Sequence, residues 1–260
     1  MFSVISGAAL KQIYFCHGLP GSALDAELLS QANPDCDLHP LPYLEYSPEN
    51  MASALAETGA SGVHLVGFSI GSMVAAHIAA QRPDLVSRLT LISPASPLQL
   101  GDFLPAMAGK TVFTLAQRRP WALAALTAVQ GLIARVSAGA MTKMLFADAC
   151  ASEQALLRNP AFGAAMKSAF SNSFVDHRQN YLAYLQTYVS DWSPILGQIK
   201  CPVDLWHGSD DTWSPPEMSL ALQSRLPDCR LHMISDTGHY STMSHVNLAA
   251  VVELQAAAGA

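Results

Sequence analysis

The segment Gly62-Val63-His64-Leu65-Val66-Gly67-Phe68-Ser69-Ile70-Gly71-Ser72-Met73-Val74-Ala75-Ala76-His77 runs from a strand into a helix with a serine at the corner. Residues 63–66 form a short apolar run after a glycine, which predicts a buried strand. From Ile70 to Gln81 the apolar side chains Ile70, Met73, Val74 and Ile78, with His77, recur at helical spacing. Gly67-Phe68-Ser69-Ile70-Gly71 lies between the two. A turn that sharp needs flanking residues without bulk, and it leaves the Ser69 oxygen projecting at the start of a helix. The first N–H groups of a helix lack intrahelical partners and can stabilise an oxyanion. An ordinary strand-to-helix turn is also rich in glycine and serine, so the rest of the chain has to discriminate.

Working outward, 260 residues of which 50% are hydrophobic can bury one large core. Charged residues make up 13% and the net charge is −6, with no basic cluster beyond Arg118-Arg119, so a nucleic-acid partner is not expected. The five cysteines (Cys16, Cys36, Cys150, Cys201, Cys229) are scattered. Their odd number argues against a disulfide framework, and none stands at metal-ligand spacing from a histidine, so no metal site is expected. Residues 1–10 lack the basic and apolar regions of a signal peptide. The longest apolar run, 120–134, is too short to span a bilayer. The expectation is a soluble, cytoplasmic protein without a membrane span.

Taken in order, residues 11–16 predict a first strand, leading into His17-Gly18-Leu19-Pro20-Gly21-Ser22. A helix over 23–31, a strand over 35–41 and a helix over 48–57 follow, the last with Ser47 as N-cap and Pro48 at its first position. After the Ser69 turn and its helix comes a strand at 88–92. This alternation predicts parallel strands joined by crossover helices. Residues 93–191 hold no strand pattern and predict a helical insertion broken by prolines. The alternation resumes with strands at 201–206 and 229–234 and helices at 215–225 and 243–256. The expected division is a core of 1–93 and 192–260 with a helical cap at 94–191.

Three further turns complement Ser69. His17-Gly18-Leu19-Pro20-Gly21 follows the first strand, where the Leu19 N–H could face the serine, with the Ile70 N–H as a second oxyanion donor. His17 itself reads as a structural histidine. Gly208-Ser209-Asp210-Asp211 follows a late strand, and a carboxylate there can orient a histidine and stabilise its charged form. Asp210 and Asp211 compete for that role, and Asp211, three residues past Gly208, is favoured. Gly238-His239 follows the last strand, with His239 as general base. Asp236 is a rival carboxylate, but it lies too near His239 in sequence to back it easily. His64, His77, His177, His232 and His245 read as core or solvated residues.

The order Ser69…Asp211…His239, with His-Gly-x-Pro-Gly-Ser at 17–22, Gly-x-Ser-x-Gly at 67–71, Gly-x-x-Asp-x-x-x-Pro at 208–215 and Gly-His at 238–239, resembles the α/β-hydrolase fold superfamily in its lid-bearing branch. The resemblance covers the core, not the insertion. It implies a mostly parallel sheet with helices on both faces, a Ser69 nucleophile, a His239–Asp211 pair and an acyl-enzyme intermediate, with no cofactor. A serine at the elbow, where some relatives carry aspartate, points to attack at a carbonyl carbon rather than at a saturated one. Two departures stand out: only about ten residues precede the first strand, where the family usually has an antiparallel hairpin, and the aromatic residue often found after the first turn is missing.

Phe68, Ile70, Leu19 and Tyr240 flank these motifs and are expected to line an apolar acyl pocket. From the insertion, Phe103, Phe113, Met141, Met144, Phe146 and Phe170 read first as packing residues. Arg118, Arg119, Arg135 and Arg178 read as solvent-facing, with a contact to an anionic substrate group as the alternative. The expectation is a serine hydrolase acting on a small-molecule ester or thioester. Carbon–carbon or amide hydrolysis by the same residues, and a non-catalytic ligand receptor on the same core, remain as alternatives. If His239 is the base, activity falls as it is protonated, near or below neutral pH. Oligomeric state is not legible.

Overall fold

The computed structural model describes residues 12–249. Six parallel strands form one sheet: β1 (Ile13–Cys16), β2 (Leu38–Pro40), β3 (Val63–Phe68), β4 (Val86–Ile92), β5 (Val203–Gly208) and β6 (Cys229–Ile234), in the order β2-β1-β3-β4-β5-β6. The central strands are apolar on both faces. Phe15, Leu65, Val66, Leu89, Leu91 and Leu205 are buried, as a sheet covered on both sides requires. The chain winds outward from β1 to β2 and then, starting again at β3, in the other direction. The β1/β3 junction is therefore the switch point, where a crevice opens beyond the strand ends.

The crossover helices are α1 (Asp25–Ala32), α2 (Met51–Ala56), α3 (Gly71–Gln81) and, after β5, α9 (Glu217–Gln223). Each is close to its expected place. The predicted 48–57 helix begins instead as a 3-10 turn, Pro48–Asn50, and the Ser47 side chain makes no cap hydrogen bond. Ser241–His245 forms a 3-10 turn, and the second half of the helix expected over 243–256 lies outside the described residues, as does Lys11. Among the described residues β2 is the edge strand on that side.

Between β4 and β5 the chain is helical: α4 (Lys110–Arg118), α5 (Pro120–Leu145), α6 (Ala151–Leu156), α7 (Pro160–Ser171) and α8 (Arg178–Val189), with a wide π-type turn at Asn172–Asp176. The apolar run expected to end at 134 belongs to a 26-residue helix. Its backbone leaves helical geometry only at Ser137 (φ −155°, ψ 67°). By length and apolarity alone α5 could cross a bilayer, although Leu123, Thr127, Gly131 and Ala134 pack one side of it onto the protein.

Buried polar bonds tie this insertion to the core turns. The Asn172 side chain donates to Gly21 O (2.8 Å), and Ser173 Oγ accepts from Gly21 N (3.0 Å). Tyr184 Oη donates to Tyr43 O (3.1 Å), and Ala108 N donates to Thr212 O (2.9 Å).

Candidate active site

Ser69 stands between β3 and α3 with φ at +55°, in the left-handed region that a residue with a Cβ rarely occupies. Surrounding bonds hold it there: its N–H donates to Ile92 O (3.0 Å), and its carbonyl accepts from Ser72 N (3.0 Å) and Ala95 N (3.2 Å). The flanking glycines have steric reasons. A Cβ on Gly71 would run into the Cys16 and His17 carbonyls, and one on Gly67 would lie 2.7 Å from Ser72 Cα. The elbow therefore places the start of α3 directly against the end of β1, and the strain is stored at the serine.

That contact brings the first turn to the serine. A Cβ on Gly18 would lie 3.1 Å from Ser69 Cβ. His17 is buried; its Nδ1 lies 2.8 Å from Gly18 O and 3.3 Å from Tyr43 Oη. Burial lowers the imidazole to about 4 against the bond to Gly18, so at neutral pH His17 is an uncharged brace for the turn, as its sequence context suggests. Asp25, the first residue of α1, is buried beside it and is raised to about 8 by burial, only partly offset by the bond from Ser22 N. Leu19 and Ile70 both line the cavity onto which Ser69 opens. Among the described residues no hydrogen bond engages the N–H of either.

His239 follows β6, and its Nδ1 lies 2.8 Å from Asp211 Oδ2. Its ring packs against Phe68, the residue before the elbow serine, at 4.8 Å between centroids. Ser93 Oγ, from the end of β4, donates to the His239 carbonyl (2.8 Å). Trp213 stacks nearly parallel on the His239 ring (5.5 Å, 12°). Asp211 is saturated with donors: Trp213 N (2.8 Å) and Ser214 N (2.9 Å) reach Oδ1, while His239 and His207 Nε2 (3.3 Å) reach Oδ2. Burial pushes the Asp211 carboxyl up, but the charge of His239 and the bonds from both histidines outweigh it and hold it well below the usual carboxylate range. An ionised carboxylate with four donors fixes the tautomer that keeps the proton on His239 Nδ1 and leaves Nε2 to accept one.

The rival aspartates are elsewhere. Asp210 is exposed and accepts from its neighbour Ser209 Oγ (2.8 Å). Asp236 is exposed on the far turn at φ +58°. His207 is a functional neighbour that the motif reading passed over. It is fully buried, with Nδ1 2.6 Å from Ser219 Oγ and Nε2 2.7 Å from Ser214 O, so a neutral ring with its proton on Nε2 satisfies both contacts and braces Asp211. Its signal was available: a histidine four residues before the carboxylate, at the end of a strand.

A second omission is Glu153, on α6. It is buried, and its Oε1 accepts from Ser241 N (2.6 Å), just past His239. Gly238 is a glycine because α6 comes so close: a Cβ there would lie 2.5 Å from Glu153 Cγ and 2.9 Å from Cys150 Sγ. Burial raises the Glu153 carboxyl, against the bond from Ser241 and the charge of His239.

Ser69 opens onto a cavity of about 530 Å³ between the sheet and the insertion, large enough for a medium-sized molecule. Its walls are mainly apolar and include Leu19, Ile70, Phe113, Met141, Leu185 and Trp213. Phe68 and Tyr240, expected in this lining, are corrected: both are buried behind it. Phe68 points under the elbow against His239 and Tyr240, and Tyr240 packs among Phe146, Phe162 and Trp213. Of the insertion residues, Phe113, Met141 and Met144 reach the cavity, whereas Phe103, Phe146 and Phe170 are packing residues. Arg118, Arg119, Arg135 and Arg178 do not line it. Among the described residues no group of three or more His, Cys, Asp or Glu is gathered as a metal site.

A family model of the alpha/beta hydrolase fold matches residues 43–246, and the chain belongs to that family. Over 192 residues it is 25% identical to a 2-hydroxy-6-oxononadienedioate/2-hydroxy-6-oxononatrienedioate hydrolase of Comamonas testosteroni, covering 73% of this chain and 60% of that relative's length. Over 190 residues it is 29% identical to a pimeloyl-[acyl-carrier protein] methyl ester esterase of Aromatoleum aromaticum, covering 72% of this chain and 70% of the relative. A bromoperoxidase from Bacillus anthracis superposes with a TM-score of 0.64 at 15% identity, covering 94% of this chain and 92% of that one, a likeness of fold alone.

Proposed function

We propose that the chain is a serine hydrolase that cleaves an ester or thioester through an acyl-enzyme intermediate. The observation that carries the proposal is the juxtaposition of a strained, cavity-lining Ser69 with the buried, Asp211-bound His239 across Phe68. In this reading His239 Nε2 removes the Ser69 proton as Oγ attacks the carbonyl carbon. The free N–H groups of Leu19 and Ile70 receive the negative charge that develops on oxygen. The protonated His239, stabilised by Asp211, gives its proton to the leaving group, which departs to leave acyl-Ser69. Water activated by the same imidazole then releases the acid and restores Ser69. No cofactor enters these steps. Residues 94–191 act as a cap that shields the acyl group from bulk water.

An apolar wall with few polar groups supports an acyl chain rather than a strongly charged substrate. Cleavage of a carbon–carbon bond is the second reading, favoured by the likeness to a 2-hydroxy-6-oxononadienedioate/2-hydroxy-6-oxononatrienedioate hydrolase, since the compounds in that name are keto acids with no ester to cleave. A panel of p-nitrophenyl esters from short to long acyl chains tests the proposal. A burst that depends on Ser69 and is retained in Asp210→Ala is expected. Turnover absent across the whole panel, in a protein that still reacts with a fluorophosphonate, would move the assignment to the carbon–carbon reading.

A further inference from the structure

The exterior of α5 is unlike the rest of the surface. Val136, Trp121, Met144 and Leu132 are 81%, 74%, 68% and 63% exposed, and Val129 and Ile133 are exposed beside them. Before the break at Ser137 the exposed members fall at positions 121, 129, 132, 133 and 136, within an arc of about 120° at 100° per residue. The opposite side carries Leu123, Thr127, Gly131 and Ala134, which are buried. The helix is thus apolar on both sides, and only one of them is covered by protein.

Charge says what covers the other. From residue 103 to residue 147 the chain contains Lys110, Arg118, Arg119, Arg135 and Lys143, all exposed, and no Asp or Glu, in a molecule whose net charge is −6. Arg118 and Arg119 end α4, where their charge complements that helix's C-terminal dipole, and the turn they form holds both at the start of α5. Around the stripe Arg118, Arg119, Arg135, Lys143 and Arg178 outnumber the acids Asp148 and Asp176, and an apolar stripe with a tryptophan at one end and this excess of cations suits the boundary of an anionic lipid bilayer. A twofold contact between copies of this face would set the same cations against one another. A span across the bilayer is excluded by the packing of the inner side onto Phe174, whose carbonyl lies 3.0 Å from where a Gly131 Cβ would be.

We propose that the outer face of α5 seats the protein on anionic membrane surface, lying in the interface rather than crossing it. Val129, Ile133 and Met144 belong both to this face and to the wall of the Ser69 cavity, so the stripe and the cavity are continuous. A lipid-dissolved acyl substrate would enter along that edge without crossing water; this last step rests on the proposed hydrolase activity, whereas the docking does not.

The test is co-sedimentation of the full chain with phosphatidylcholine vesicles, with and without about a quarter phosphatidylglycerol. Binding to the anionic vesicles alone is expected, weakening with salt. The double variant Leu132→Glu/Val136→Glu is expected to lose about tenfold or more in vesicle affinity, as is Arg118→Glu/Arg119→Glu. Both are to keep the wild-type melting temperature, which shows that they fold. Ser69→Ala is expected to bind vesicles like the wild type, so failure of the catalytic reading leaves this one standing. Absence of binding to anionic vesicles, or binding that the Leu132/Val136 variant retains, overturns the proposal. So does a concentration-dependent dimer that this variant abolishes while the wild type ignores lipid, since a second copy would then be the cover.

Discussion

The turns at the strand ends and the helical insertion obey different rules. At the turns nearly every residue is fixed by contact: Gly71 by the carbonyls of Cys16 and His17, Gly208 by Thr237, Asp211 by four donors. In the insertion only the inner face is so constrained, through Asn172, Ser173 and Glu153, while the outer face of α5 leaves large apolar side chains in the open. The core is built to hold a few atoms still. The insertion is built to cover that arrangement on one side and to present a surface on the other.

Ser69→Ala or His239→Ala is expected to lower kcat by about 10⁶-fold and Asp211→Ala by about 10⁴-fold, with Asp210→Ala close to wild type, measured as steady-state ester hydrolysis. An equal loss in Asp210→Ala would place the carboxylate wrongly.

Next in size is the buried pair beneath the site. Arg88 donates from Nε (3.1 Å) and Nη2 (2.5 Å) to Asp204 Oδ2, across β4 and β5. Arg88→Ala leaves that carboxylate buried without its main partner and is expected to cost about 3–5 kcal/mol in urea unfolding.

The first turn should respond to pH. Asp25 is raised to about 8 from an ordinary 3.8, so the native state holds its proton more tightly, and the stability that follows is lost as pH rises toward 8. His17, lowered to about 4 from 6.5, acts with the opposite sign, and its penalty grows as pH falls from 6.5 to 4. Of these two groups only Asp25 contributes a pH dependence above pH 6.5. Asp25→Asn should therefore flatten the decline in melting temperature between pH 6.5 and 8 and be more stable than wild type at the upper end, by up to a few kcal/mol. A wild-type melting temperature that is flat over that window would show that Asp25 is not held protonated.

Smaller still is the seam between the two regions. Glu153→Ala removes the acceptor for Ser241 N and is expected to cost about 1–3 kcal/mol, whereas Glu153→Gln keeps an acceptor and should cost less. Val136→Glu, on the open face, should change stability by less than about 0.5 kcal/mol. A large loss there would mean that the stripe is packed against something after all.

What could be read from the sequence follows the same division. Ser69, Asp211 and His239 were legible because backbone sterics and tautomer control impose residue types at short spacing, and the alternation of strand and helix gave the parallel sheet. Phe68 and Tyr240 misled because adjacency to a motif does not say which way a side chain turns; one is the last residue of a strand buried on both faces, the other begins a 3-10 turn that faces inward. Glu153 and Ser173 were invisible because their partners lie 88 and 152 residues away and no local pattern marks either. The long reach of α5 was missed because polar residues past 134 interrupt the apolar run, although the helix continues to Leu145 through the irregular Ser137.

Intact-mass analysis after treatment with a fluorophosphonate tests the central claim most directly. A single adduct on the wild-type chain and none on Ser69→Ala are expected. An adduct that persists in Ser69→Ala, or a folded wild-type protein that never forms one, would contradict it.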